Sequence, residues 1–188
     1  GYSLAVEACM PGLEIPRRAT LIRTICAELN RIASHQIAYG TYGLDIGAFT
    51  PFFYAFRERE WIQALFEKIC GARLTYSYIR IGGVFNDAPP GWLKEVEHFC
   101  DVFEEKWKEY YDLLIVNHLF VQRTANVGVI SREMALDFGL TGPMLRGSGV
   151  DFDLRRDTPY MAYGEAYEAG AYDVILGEGK KGTLGDCW

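Results

Sequence analysis

Apolar residues recur along this chain with helical spacing. Over 19–39, Leu21, Ile25, Leu29, Ile32 and Ile37 return at intervals close to 3.6, which aligns them along an α-helix. Pro16-Arg17-Arg18 marks its start, and Gly40 and Gly43 are expected to end it and open a turn-rich bridge through Gly47. Thr50 followed by Pro51 predicts an N-cap and a first-turn proline for a second helix reaching about Cys70. Over 71–86 the pattern changes, and the paired Gly82-Gly83 predicts a short extended or looped stretch before the break at Pro89-Pro90-Gly91. A long amphipathic helix is predicted from Trp92 to about Leu119. Trp92, Val96, Phe99, Phe103, Trp107, Tyr110 and Leu114 share one side, and Lys94, Glu97, Glu104, Glu105, Lys108 and Glu109 form a solvated one. Ser131-Arg132-Glu133-Met134 starts a shorter helix that Gly139 stops, and short strands are expected at 150–154 and 171–176. The pattern predicts a mainly α fold, a helical bundle with short peripheral β segments. It is read as a single helical domain over 1–188, with a helical core over about 1–140 and a loop-rich rim over about 141–188.

At 188 residues and 49% hydrophobic content the chain can bury a core of ordinary domain size. It opens without a methionine on the apolar phrase Tyr2-Ser3-Leu4-Ala5-Val6 and stops at Asp186-Cys187-Trp188, so it is read as the central part of a longer subunit. A net charge of −6 and no Lys/Arg-rich block argue against a nucleic-acid surface. No apolar run approaches the roughly 20 residues of a membrane span, so any membrane contact is expected to come through partners. The five cysteines show no C-x-x-C spacing, so neither a disulfide framework nor a metal ligand set is expected. Cys26, Cys70 and Cys100 read as small buried hydrophobes in a reduced, cytosolic chain.

Candidate chemistry centres on 28–60, where ionisable groups stand among helical apolar runs. Glu28, Arg31 and His35 fall three and four apart, on one helix face, and fit a hydrogen-bonded structural triad. Arg57, Glu58, Arg59 and Glu60 fit ion pairs that position helices. Asp45, between Gly43 and Gly47, leaves two readings open: an acceptor or proton reservoir tuned by burial and a partner, or the N-cap of the following turn. Gly177-x-Gly179-x-x-Gly182 lacks the strand-turn-helix context of a dinucleotide fingerprint. Gly147-Ser148-Gly149 lacks the elbow of a hydrolase nucleophile and reads as a tight turn. His35, His98 and His118 are too scattered for a metal site, and no metal is expected.

Four phrases carry more than composition: RTICAELNRIASH at 23–35, GLDIGAFTPFFYAFRERE at 43–60, GARLTYSYIRIGGV at 71–84 and LTGPMLRGSGVDFDLRRDTPY at 140–160. Together they resemble the D subunit of respiratory complex I, the quinone-site subunit of NADH:quinone oxidoreductase, in one order across the chain. The resemblance implies a fold related to the large subunit of nickel–iron hydrogenases. It implies packing against the B and C subunits, with membrane contact through the H subunit, on the cytoplasmic side of a bacterial inner membrane or the matrix side of an organellar one. Quinone would be the substrate. The iron–sulfur cluster would sit on the B subunit, and NAD and FMN elsewhere in the complex, so this chain alone would hold no cofactor and be inactive. Asp45 matches the acidic partner of a quinone-contacting histidine. Thr41, Phe53 and Ile37 match positions around the headgroup. Thr75, Arg73 and Arg80 fall near the partner's cluster, and Thr75 stands where many members of the family carry histidine. The implied role is passage of electrons from that cluster to quinone in a proton-pumping translocase. Two alternatives remain: the large subunit of a membrane-bound hydrogenase-like complex, and a structural helical interaction module.

Overall fold

Two long helices, α2 (Arg17–Asp45) and α3 (Thr50–Cys70), dominate residues 1–110. The structure is a computed structural model and describes residues 1–177. Residues 1–110 form one compact unit, and the chain from 111 on forms a second. In the first unit a short α1 (Tyr2–Ala8) precedes α2, and a two-stranded antiparallel ribbon, β1 (Ile79–Arg80) with β2 (Gly83–Val84), precedes α4 (Trp92–Tyr110). The fold is mainly α.

The buried stripe of α2 runs through Ile22, Cys26, Leu29, Ala33, Gln36, Gly40 and Gly43, a three-four alternation displaced by about one position from the large apolar residues. Leu21 and Ile37 therefore lie exposed. The core joins Ile22, Cys26, Leu29 and Ala33 of α2 to Ile62, Leu65, Phe66 and Ile69 of α3, Tyr78, and Trp92, Val96 and Phe99 of α4. Trp92 is fully buried without an orphaned donor, because its Nε1 donates to the Leu65 carbonyl at 2.8 Å.

Several boundaries differ from the sequence expectation. Gly40 and Gly43 do not end α2, which continues to Asp45. A Cβ at Gly40 would lie 3.1 Å from Phe52 Cα, and one at Gly43 would lie 3.1 Å from the Ala48 carbonyl oxygen. Glycine is used there because α3 crosses so close, not because the backbone turns. Phe49, rather than Thr50, occupies the N-cap position of α3, and Pro51 sits in the first turn. The C-terminal end of α3 behaves as read, with Gly71 left-handed at φ +77° and donating to the Glu67 carbonyl. Cys26 is buried, but Cys70 is half-buried and Cys100 exposed, and Trp107 also faces solvent. The helix expected over 92–119 stops at Tyr110.

The second unit opens on a π-helical turn, Tyr111–Ile115. Asn117 then caps α5 (His118–Thr124) by accepting from Leu119 N, and Ser131 caps α6 (Arg132–Asp137) by accepting from Met134 N. α7 (Gly142–Gly147), α8 (Leu154–Asp157) and α9 (Tyr163–Glu168) follow. A small core joins Ala135, Leu145 and Val150, with Ile130, Leu140 and Phe152 against it. The strands expected at 150–154 and 171–176 do not form: Leu154 begins α8 and 171–177 have no regular structure. The glycines at 179 and 182 and Cys187 lie outside the described residues.

Candidate functional site

The corner between α2 and α3 holds four of the sequence candidates. Ala48 N donates to the Gly43 carbonyl at 2.7 Å and Gly47 N to the Leu44 carbonyl at 2.9 Å, with Gly47 at φ +87°. The 46–49 turn is thereby pinned to the end of α2. Ile37, Thr41 and Asp45 follow at intervals of four along the exposed side of α2. Ile37 is 36% exposed. Thr41 is exposed and its hydroxyl donates to the Ile37 carbonyl at 2.8 Å, leaving its lone pairs outward. Asp45 is exposed as the last residue of α2, so the N-cap reading is set aside. At that end the helix carries partial negative charge, and no basic residue lies in the last turn. A carboxylate placed there suits a cationic or hydrogen-bond-donating neighbour. It also acts on Tyr42, whose phenol is raised first by burial and then by the Asp45 charge. Across the turn, Phe53 is 60% exposed.

A second group centres on the buried Glu58, Tyr39 and Tyr110. Glu58, 5% exposed, accepts from Arg57 Nε at 2.5 Å and from the Tyr110 hydroxyl. Arg57 also reaches Glu109 at 2.8 Å, and its proton is held more tightly by these two carboxylates, Glu58 first. Tyr39 stacks on Tyr110 at 5.2 Å and donates to its carbonyl at 2.8 Å. Burial raises both phenols, with the Glu58 hydrogen bond adding at Tyr110 and the Glu109 charge at Tyr39. Arg31 Nε donates to Glu28 at 3.1 Å, and His35 stands exposed one turn on.

Thr75 lies on a cleft of about 280 Å³ between α2, α3 and residues 73–76, which it shares with Ile37 and whose lining also includes Arg59, Arg73, Gln63 and Tyr76, whereas Thr41, Asp45 and Phe53 are not among its lining. Thr75 is left-handed at φ +53°, an outlier for a β-branched residue. Arg73 is engaged by Glu60 and by Glu67 at 3.0 Å. Arg80 is exposed on the ribbon, its guanidinium 5.2 Å from the Phe85 ring centre.

Two buried assemblies escaped the sequence reading. Arg23 is 1% exposed. It makes a two-pronged pair with Glu7 at 2.6 and 3.0 Å and donates to the carbonyls of Gly83 at 2.8 Å and Arg80 at 2.5 Å. Glu7 in turn accepts from Gly82 N at 2.8 Å. Its carboxyl is lowered chiefly by the Arg23 hydrogen bond. In the second unit Asp153 is buried between Arg155 at 2.8 Å and Arg146 at 3.0 Å, and the Arg155 hydrogen bonds hold it down to about 2. Among the described residues, no group of three or more His, Cys, Asp or Glu side chains is placed to hold a metal ion. No helix there is long and apolar enough to cross a membrane.

This helical arrangement is shared with a chain in the structure of the membrane-bound sulfane sulfur reductase, an archaeal respiratory membrane complex. The TM-score is 0.85 at 32% identity, covering 93% of this chain and 46% of that one. The fold class is thus that of a mainly α chain found in a respiratory membrane complex. The family model for the respiratory-chain NADH dehydrogenase 49 Kd subunit matches residues 45–188, and the chain belongs to that family. It is 48% identical to the NADH-quinone oxidoreductase D subunit of Chlorobium chlorochromatii, over 99% of this chain and 45% of the relative. Against the D subunit numbered 2 of Sorangium cellulosum the identity is 50%, over 100% and 47%, and against that numbered 2 of Anaeromyxobacter dehalogenans it is 51%, over 99% and 48%. The chain thus spans about half the length of these relatives.

Proposed function

We propose that this chain forms part of the quinone-binding module of an NADH:quinone oxidoreductase, where electrons pass to quinone from an iron–sulfur cluster held by the B subunit. The observation that carries the reading is the pinned corner, which presents Ile37, Thr41, Asp45 and Phe53 to the exterior from two helices. Reduction of a quinone to a quinol takes two electrons and two protons. Thr41 and Asp45 supply hydrogen-bonding groups for that proton traffic, and Ile37 and Phe53 supply apolar contact. Asp45 acts with a cationic histidine contributed by another part of the subunit, which its placement at the negative end of α2 favours. The C and H subunits complete the surroundings, and H makes the membrane contact of a peripheral module on the cytoplasmic or matrix side. The whole complex couples the reaction to proton translocation, and the chain alone is inactive.

Asp45→Asn in the assembled complex tests this. We expect quinone reductase turnover to fall at least tenfold while the complex assembles normally, and unchanged turnover would defeat the assignment. The likeness to a chain of a sulfane sulfur reductase complex supports a second reading, a related membrane-bound complex with another electron acceptor. The higher identity to quinone oxidoreductase subunits favours quinone.

A further inference from the structure

We propose that Phe49 is an additional wall of this site and determines affinity for the hydrocarbon substituent of the quinone. The inference rests on the quinone reading above and extends it to a residue outside the four candidates. Phe49 is 66% exposed, more than Phe53 at 60%, and the two ring centres lie 5.5 Å apart at 44°. The rings form an open aromatic corner one helical turn deep. Phe53 is backed by Phe52 at 5.8 Å, edge to face, and Phe52 stacks on Phe56 at 4.1 Å. Phe52 is itself held against Gly40, where a Cβ would come within 3.3 Å of its ring. The exposed pair therefore stands on a packed base.

Phe49 is also not on a free loop. It is the N-cap residue of α3, four residues after Asp45, and the hydrogen bonds of Gly47 and Ala48 back to α2 fix the turn between them. Such preorganisation lowers the ordering cost of binding. Polar groups lie on the α2 side, at Thr41 and Asp45, while at the start of α3 the exposed rings of Phe49 and Phe53 flank Thr50 and offer aromatic carbon. A quinone has the same division: carbonyl oxygens that take hydrogen bonds, and an apolar chain that gains from leaving water. The polar side matches the headgroup, and the Phe49–Phe53 corner matches the first part of the chain.

The test compares Phe49→Ala and Phe49→Leu complexes with two acceptors of one headgroup, one carrying a decyl chain and one without it. For Phe49→Ala we expect KM for the decyl quinone to rise roughly three- to tenfold more than KM for the chainless one, with Phe49→Leu recovering most of the difference. Equal changes for both acceptors, or none, would overturn the assignment. So would loss of assembly with normal KM in the complex that remains, because a protein neighbour would then be covering Phe49. Asp45→Asn run alongside separates the two levels. If it is silent the site reading itself falls. If it impairs turnover and Phe49→Ala does not shift the KM ratio, only the role of Phe49 falls.

Discussion

All three guanidinium nitrogens of Arg23 donate, in four hydrogen bonds, two to Glu7 and two to carbonyls of the ribbon. Breaking a buried pair leaves one charge uncompensated, at a cost of about 3–5 kcal/mol. Glu7→Gln should therefore lower stability by roughly that much, read from denaturant unfolding, whereas removal of the exposed Arg18–Asp87 pair should leave the unfolding midpoint nearly unchanged. Asp153 gives a pH signature. Its folded pKa of about 2 lies below the unfolded value of about 3.9, so its stabilising effect is complete above pH 4 and is lost as pH falls through 2. That effect is worth about 2 kcal/mol. Asp153→Asn should lower stability at pH 7 and flatten the acid limb of the stability profile between pH 4 and 2. Neither cluster was legible in the sequence, because Arg23 looks like any helical arginine until residues 7 and 82 are brought to it. Asp45 stood out from its glycine neighbours alone, but Thr41, Ile37 and Phe53 became candidates only through the family phrase, since exposure on one side is a property of the crossing helices.

At the scale of elements, periodicity located α2, α3 and the start of α4 well, and Gly71 and Gly139 stop helices as glycines do. It misread Gly40 and Gly43 because local propensity makes glycine a breaker, while the tertiary crossing makes it a spacer. The two effects can be weighed. Gly→Ala in a helix interior gains about 1 kcal/mol of propensity, but at Gly40 the new methyl would meet Phe52 Cα at 3.1 Å, a backbone atom that cannot swing aside. Overpacking of that kind costs about 1–3 kcal/mol. We expect Gly40→Ala to be net destabilising by about 1 kcal/mol in denaturant unfolding, the reverse of the propensity scale. The long amphipathic pattern over 92–119 misled in another way, because it runs on beyond Tyr110, where the backbone leaves α geometry for a π-helical turn.

For the whole molecule, the parent assembly is the setting in which Thr75 becomes measurable. In the proposed complex it stands beside the B subunit's cluster where the family resemblance places histidine, and threonine does not titrate near neutrality. We expect the midpoint potential of that cluster to be nearly flat from pH 6 to 8 in redox titration. A slope near 59 mV per pH unit, the value for one proton per electron, would contradict this. Thr75→His should then introduce a slope. The fold class was readable from the sequence because helices announce themselves locally. The buried links of the first unit, from residue 7 to 82 and from 36 to 110, were not, because they depend on packing between segments far apart in the chain.

The glycine-spaced crossing of α2 and α3 also bears on how quickly the protein acquires its shape. Its partners, Gly40 with Phe52 and Gly43 with Ala48, lie within twelve residues of each other, so little loop-closure entropy opposes their meeting. The corner is therefore a natural early nucleus, and Gly40→Ala should act mainly by slowing refolding. The Glu7–Arg23 staple closes against Gly82 across 75 residues. Its loss should leave the refolding rate nearly unchanged and instead speed unfolding.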